Sequence, residues 1–285
     1  SFESIPYGTW YVREIEQPAG FVLDDTVYPV TIGKDGQVVE IKIVNKYIRG
    51  NIHLTKVDAE YPDNKLTGAT FEVYKDSNGS GKLDDGDELL GTLTEKEIGS
   101  YEMKDLFYGR YFVKETKAPE GFVLDTGVYE VMIDTDGKTC EVENKAGVGF
   151  INEAMRGNLK IVKTSSDGKI KGFAFRITGA NGYDIILETN DKGEIVIEGI
   201  RIGDYTVSEV SNSASAMYVL PADKKATVKT GSTTIVEMHN VLRDTPKTGD
   251  ATNLPLLYAL AGLSAVGIAV TAFVGFKKKK KEGND

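Results

Sequence analysis

Lysine, glutamate and asparagine recur at matched places along this chain, each on the apolar side of a strand-like segment. In NIHLTKVD, Lys56 shares parity with Ile52 and Leu54, and in NLKIVKTS, Lys163 shares it with Leu159 and Ile161. Successive strand residues point to opposite faces, so each lysine is expected on the core side. The same count sets Glu14 with Trp10 and Val12, Glu115 with Tyr111 and Val113, and Glu209 with Tyr205 and Val207. Asn45 follows Ile41 and Ile43, Asn152 follows Val148 and Phe150, and Asn240 follows Val236 and Met238. Left unpaired in a core, each such group would be strongly destabilising, so the three types are expected to meet one another.

Two kinds of chemistry fit that meeting. One is a buried Lys–Glu ion pair with an asparagine hydrogen bond, or a lysine whose amine reaches out past a sheet edge. The other is covalent. An apolar pocket lowers a lysine pKa and raises a glutamate pKa, so a neutral amine can face a carboxylic acid. The amine can then attack the asparagine side-chain carbonyl while the glutamate relays protons, and ammonia leaves behind an amide cross-link. No cofactor is required.

The elements that must position these groups come from internal repetition. YGTWYVREIEQPAGFVLDDTVYPVTI, from Tyr7, matches YGRYFVKETKAPEGFVLDTGVYEVMI, from Tyr108, and IGDYTVSEV, from Ile202, is a shorter echo. IVNKYIRGNIHLTK, from Ile43, matches FINEAMRGNLKIVK, from Phe150. Each copy thus ends in an asparagine-bearing strand, and the next opens with a lysine-bearing one. The segments are short, rich in Val, Ile, Tyr and Phe, and broken by Gly and Asp-Gly, which predicts all-β sandwiches. The expected boundaries are a truncated first copy over 1–49, then full copies over 50–156 and 157–242.

These residues carry a resemblance to the Cna B-type or SpaA-type domains of Gram-positive pilins and adhesins, which implies tandem immunoglobulin-like sandwiches with spontaneous Lys–Asn isopeptide bonds. YVREIEQPAGF and YFVKETKAPEGF match the family's glutamate box, whereas YTVSEVSNSASAMYVL keeps the glutamate and lacks the alanine-proline-x-glycine continuation. The resemblance implies a Lys56–Asn152 bond assisted by Glu115 and a Lys163–Asn240 bond assisted by Glu209. The first copy keeps Glu14 and Asn45, with its lysine expected upstream of Ser1. Asn144 competes for the second copy's bond; Asn152 is preferred because Asn45 to Lys56 and Asn152 to Lys163 are equally spaced.

The chain's end has its own logic. No residue from Leu254 to Phe276 is charged, and a helix of that length rises roughly 34 Å, enough to cross a bilayer core. Lys277 to Lys281 follow, and the positive-inside bias would hold them in the cytoplasm. The expected layout is a linker and motif over 243–250, a transmembrane helix over 251–276 and a basic tail over 277–285. Before the span, Thr245, Pro246, Lys247, Thr248 and Gly249 resemble the LPxTG sorting signal of Gram-positive cell-wall proteins, with Thr245 where leucine is usual. That resemblance implies cleavage by a sortase between Thr248 and Gly249, covalent attachment to peptidoglycan, and a membrane-held precursor displayed at the cell surface. Plain membrane anchoring is the alternative.

DSNGSGKLDDGD has an EF-hand-like order. Asp76, Asn78, Ser80, Asp84 and Asp87 would offer side-chain oxygens to calcium and Lys82 its carbonyl; a solvated acidic hairpin loop is the other reading. A net charge of −9 without a clustered basic face argues against nucleic acid. With Cys140 as the sole cysteine, stability cannot come from an internal disulfide framework. His53 and His239 read as strand surface residues, and no constellation supports turnover, so a non-enzymatic adhesin or pilin stalk is expected, with a host or matrix ligand bound through an upstream region. The alternative is the stalk of a surface enzyme whose catalytic domain lies upstream.

Overall fold

The computed structural model describes residues 2–244, and their regular structure is β throughout apart from a short 3-10 turn at Ala180–Gly182. The first segment contributes one antiparallel hairpin, Gly8–Val12 paired with Tyr28–Ile32. Each of the two following segments builds a pair of sheets.

In the second unit the opening strand Arg49–Asp58 pairs antiparallel with Ser100–Phe107 and parallel with Thr139–Glu141 and Phe150–Asn152. The other sheet centres on Gly109–Lys117, flanked by Thr70–Lys75 and Val128–Ile133. The third unit repeats the plan. Its opening strand Arg156–Ser165 pairs antiparallel with Glu194–Arg201 and parallel with Thr233–Leu242. The facing sheet centres on Gly203–Val210, between Ala174–Thr178 and Lys224–Val228. First and last strands are therefore parallel neighbours in one sheet, and the glutamate strand lies in the sheet opposite.

Alternation decides what fills the interior. Along the opening strand, Ile52, Leu54 and Lys56 are buried while Asn51, His53 and Thr55 are half-buried. Ile52 and Leu54 pack with Phe71, Val113, Ile133 and Phe150 in the second core; Leu159 and Ile161 pack with Phe175, Val207, Val236 and Met238 in the third.

Adjacent units are fastened to one another. Arg201 of the third unit donates to both carboxylate oxygens of Asp58 at 2.6 Å each and to Glu60 at 2.8 Å. Arg156 also donates to Glu60 at 2.8 Å, and Tyr61 lies under the Arg201 guanidinium at 4.8 Å. At the first boundary Asp136 accepts from Lys46 at 2.6 Å and from the Arg49 amide at 3.0 Å.

Among the described residues no helix is long and apolar enough to cross a membrane. The expected sorting motif Thr245–Gly249, the apolar segment and the basic tail lie outside the described residues.

Candidate functional site

The second unit brings Lys56, Glu115 and Asn152 together inside the sandwich. Lys56 and Glu115 are fully buried and Asn152 is 2% exposed. In the parallel register Lys56 lies opposite Phe150 and Asp58 opposite Asn152, so lysine and asparagine share a face two residues apart. The third unit repeats this offset, Lys163 opposite Met238 and Ser165 opposite Asn240. A parallel ladder of that register is what puts an opening-strand lysine beside a closing-strand asparagine in both units.

A glycine turn fixes each lysine's backbone. The Lys56 amide donates to the Gly99 carbonyl at 2.7 Å and the Lys163 amide to Gly193 at 2.8 Å. Both glycines have positive φ, and a Cβ would come within 2.8 Å of the Lys56 carbonyl and 2.9 Å of the Lys163 carbonyl respectively.

The contacts in the second unit run from amine to carboxyl to amide. Lys56 Nζ donates to the Phe150 carbonyl at 3.0 Å and stands 4.0 Å from Glu115 Oε1. Asn152 Nδ2 donates to Glu115 Oε2 and to the Val123 carbonyl, each at 2.8 Å. Glu115 Oε1 and Asn152 Oδ1 are buried without a hydrogen-bond partner. Burial lowers the Lys56 pKa to about 8, against the opposing pull of Glu115, Asp125 and Asp58. Burial raises the Glu115 carboxyl, outweighing its hydrogen bonds from Asp125 and Asn152 and the attraction of Lys56. Both shifts move the pair toward neutral amine and protonated acid.

The third unit assembles two of its three residues in the same way. Asn240 Nδ2 donates to Glu209 Oε1 at 2.6 Å, and Glu209 Oε2 and Asn240 Oδ1 are again buried without partners. Lys163 is buried with its amine 4.1 Å from the Phe173 ring centre, but it donates to the Thr164 carbonyl and forms no ion pair with Glu209. Burial lowers the Lys163 pKa and raises that of Glu209.

In the first unit Asn45 Nδ2 donates to Glu14 Oε1 at 2.7 Å, both side chains half-buried, and among the described residues no cation pairs with Glu14.

The sequence reading missed Asp24 and Asp125. The Asp125 amide donates to Glu115 Oε2 at 2.8 Å, and the Asp24 amide to Glu14 Oε2 at the same distance. Each aspartate is pinned by a tyrosine four residues on, Tyr129 to Asp125 at 2.8 Å and Tyr28 to Asp24. The repeated FVLD with its following tyrosine carried this signal in both copies. The third unit, whose loop after Glu209 departs from that pattern, supplies no such amide. Asn144 donates to Asp125 at 2.6 Å and to the Ile151 carbonyl at 2.8 Å, beside the cluster but not on Glu115.

The acidic loop is flanked by strands Thr70–Lys75 and Glu88–Thr92, and its oxygens accept from its own amides. Asn78 Oδ1 takes the Ser80 amide, Asp76 Oδ2 the Gly81 amide, Asp84 Oδ1 the Gly86 amide, and Asp87 the amides of Ser77 and Asp84. Ser80 Oγ donates to the Lys82 carbonyl, and Arg110 stands 3.5 Å from Asp76. Among the described residues no three His, Cys, Asp or Glu side chains form a metal-holding group. His53 bridges Glu141 at 2.7 Å and Ser100 at 2.9 Å across three strands, Cys140 is half-buried opposite Ile52, and His239 contacts Thr164.

Comparisons with known proteins agree with this architecture. The SpaA family, described as a prealbumin-like fold domain, matches residues 1–47, 50–146 and 157–242. The closing strand Phe150–Asn152 lies past the second matched span and is placed by its pairing with Arg49–Asp58. The trypsin-resistant surface T6 protein of Streptococcus pyogenes serotype M6 is 26% identical over 61% of this chain and 35% of its own length. The chain thus spans about a third of that curated relative. The solved Bacillus anthracis TIE protein is 25% identical with a TM-score of 0.60, covering 84% of this chain and 42% of the other. A streptococcal ancillary pilin is 21% identical with a TM-score of 0.31, over 85% of this chain and 77% of the other. With all three units matched and the sandwiches built on one plan, the chain belongs to the SpaA prealbumin-like domain family.

Proposed function

We propose that this chain is the stalk of a Gram-positive surface pilin or adhesin, strengthened by self-formed Lys56–Asn152 and Lys163–Asn240 isopeptide bonds and anchored to the cell wall by a sortase. The observation that carries the reading is the buried convergence of Lys56, Glu115 and Asn152, with Asn152 Nδ2 2.8 Å from Glu115. The units are taken as 1–49, 50–156 and 157–242.

The reaction needs only the chain's own groups. A proton passes from the Lys56 ammonium to Glu115, favoured by the lowered amine and raised carboxyl. Neutral Nζ attacks Asn152 Cγ, and the acid, which meets Asn152 through Nδ2, would turn to polarise the amide oxygen, itself without a hydrogen-bond partner. Glu115 then gives its proton to Nδ2 and takes the second proton from Nζ as the Cγ–Nδ2 bond breaks; ammonia leaves, the Nζ–Cγ amide remains and Glu115 ends protonated. Glu209 would serve Lys163 and Asn240 once the amine turns from the Thr164 carbonyl.

A bond between first and last strands closes nearly a whole unit, a constraint on the unfolded chain of about 4 to 5 kcal/mol by the loop-entropy account of disulfides. A stalk under tension needs such a clamp between terminal strands. The surface T6 relative is named trypsin-resistant, and the clamps proposed here would give this chain the same property. At the C-terminus, cleavage between Thr248 and Gly249 would transfer the chain from membrane to peptidoglycan.

Intact mass spectrometry of the chain beside its Glu115→Ala variant tests the reading. The expected result is two ammonia losses in the parent and one in the variant; an unshifted parent mass would overturn it.

A further inference from the structure

The loop after Glu115 belongs both to the second unit's cluster and to its joint with the third. Its first residues meet the joint: the Gly121 carbonyl accepts the Met155 amide at 2.8 Å, Phe122 bridges to Ala154, and the Val123 amide donates to the Glu153 carbonyl at 2.8 Å. Its last residues meet the cluster. The Val123 carbonyl takes Asn152 Nδ2 at 2.8 Å, and the Asp125 amide reaches Glu115 Oε2 at the same distance. Val123 and Leu124 are 50% and 40% exposed, so backbone bonds rather than core burial set where this stretch lies.

The third unit completes the chain of contacts. Its Ile202 amide donates to the Met155 carbonyl at 3.0 Å, so Met155 is held by Gly121 on one side and by the neighbouring unit on the other. The Arg201 guanidinium stands 6.0 Å from the Phe122 ring centre. The first joint has the same plan. Ile48 donates to the Gly20 carbonyl at 2.8 Å and accepts the Tyr108 amide at 3.1 Å, Val22 donates to Lys46 at 2.8 Å, and two residues on the Asp24 amide holds Glu14. In the third unit the segment after Glu209 is tied to its own sandwich instead, Asn212 Nδ2 donating to the Gly172 carbonyl at 2.7 Å and Tyr218–Val219 pairing with the closing strand. The Pro-x-Gly-Phe turn and the amide on the glutamate thus occur together in the first two units, each docked on by the next, and are missing together from the third.

We propose that the Gly121–Asp125 stretch is a coupler between units: the third unit, docked on Met155 and Gly121, holds the Asp125 amide on Glu115, so the second unit forms its bond at full rate only once its neighbour has folded and docked. The effect on the bond rests on the isopeptide reading above; the coupling of joint to loop does not. Each clamp would thus close behind the unit that follows it.

Two variants loosen the joint without touching the cluster. Arg201→Ala removes the grip on Asp58 and Glu60, and Ile202→Pro removes the amide that Met155 accepts. Full-length parent and variants are refolded from denaturant, ammonia loss is followed by fragment mass for each unit, and hydrogen exchange of the Val123 and Asp125 amides is read in the folded chains. In both variants the second unit's bond should form about fivefold more slowly and the two amides exchange faster by a similar factor, the worth of one backbone hydrogen bond. The third unit's core amides should stay as protected as in the parent; a variant whose third unit unfolds should show the same slowing, since the neighbour is then lost altogether. Unchanged rate and exchange in both variants overturn the coupling, and so does a slowing by Arg201→Ala alone, which would run through Asp58 and not through the loop. A parent that never loses ammonia removes the isopeptide reading and the rate effect with it, whereas faster exchange of Val123 and Asp125 in the variants would still carry the coupling.

Discussion

Arg201 grips Asp58 through two hydrogen bonds of 2.6 Å, joining the third unit to the strand that carries Lys56 two residues earlier. The Asp58 side chain is 2% exposed and that of Arg201 15%. A load on the third unit would pass through this pair into the opening strand of the second. The proposed clamp within a unit and the joint between units would thus share one strand.

Removing that grip should free the joint while leaving each sandwich folded. Arg201→Ala leaves Asp58 with only the Glu60 and Tyr61 amides and Glu60 with only Arg156 across the interface, a loss of about 2 kcal/mol, below that of a wholly buried pair. Small-angle scattering should show a broader range of end-to-end distances, with the far-ultraviolet circular dichroism unchanged.

Acid should loosen the same joint. Burial pushes the Asp58 carboxyl up, but the Arg201 guanidinium and the amides of Glu60 and Tyr61 together hold it below the usual carboxylate range. A depressed folded pKa stabilises above the ordinary value and loses that contribution as pH falls through the depressed one. Scattering should therefore report a rigid joint at neutral pH and a loosened one only below the ordinary carboxylate range.

Bond formation in the second unit should be level near neutral pH and fall above about 8. Internal proton transfer from Lys56 to Glu115 leaves the pair's net charge unchanged, so pH does not alter the reactive population between the pair's two titrations. Above about 8 the amine loses its proton to solvent, leaving Glu115 without one to donate. Chain refolded from denaturant into a pH series, with ammonia loss followed by mass, would give the profile.

The second unit should cross-link faster than the third. Lys56 already stands 4.0 Å from its glutamate, and Glu115 is held by the Asp125 amide, whereas Lys163 is turned to the Thr164 carbonyl. Asp125→Ala frees the loop from Tyr129 and Asn144 and should slow the second bond toward the rate of the third. Fragment masses over a refolding time course would separate the two.

Asn152→Ala should cost the second unit its clamp, about 4 to 5 kcal/mol by the same loop estimate. The expected signs are an earlier thermal transition and trypsin cleavage within 50–156 under conditions where the parent chain stays intact. Equal resistance of parent and variant would count against a clamp in this unit.

Alternation along Arg49–Asp58 and its repeat was enough to place lysine, glutamate and asparagine on the core side, because strand parity is a local property of the backbone. Repetition likewise suggested the units and the glutamate box, and it favoured Asn152, which donates to Glu115, over Asn144, which does not. The pairing of first and last strands in a parallel register was beyond local reading, since it depends on contacts nearly a hundred residues apart. Tertiary structure also decided the fine aim of each group. It turned the Asp24 and Asp125 amides onto their glutamates, swung Lys163 to a carbonyl, and satisfied the acidic loop's oxygens with its own amides. Sequence determined which residues face inward, and the docking of one sheet on the other determined which of them touch.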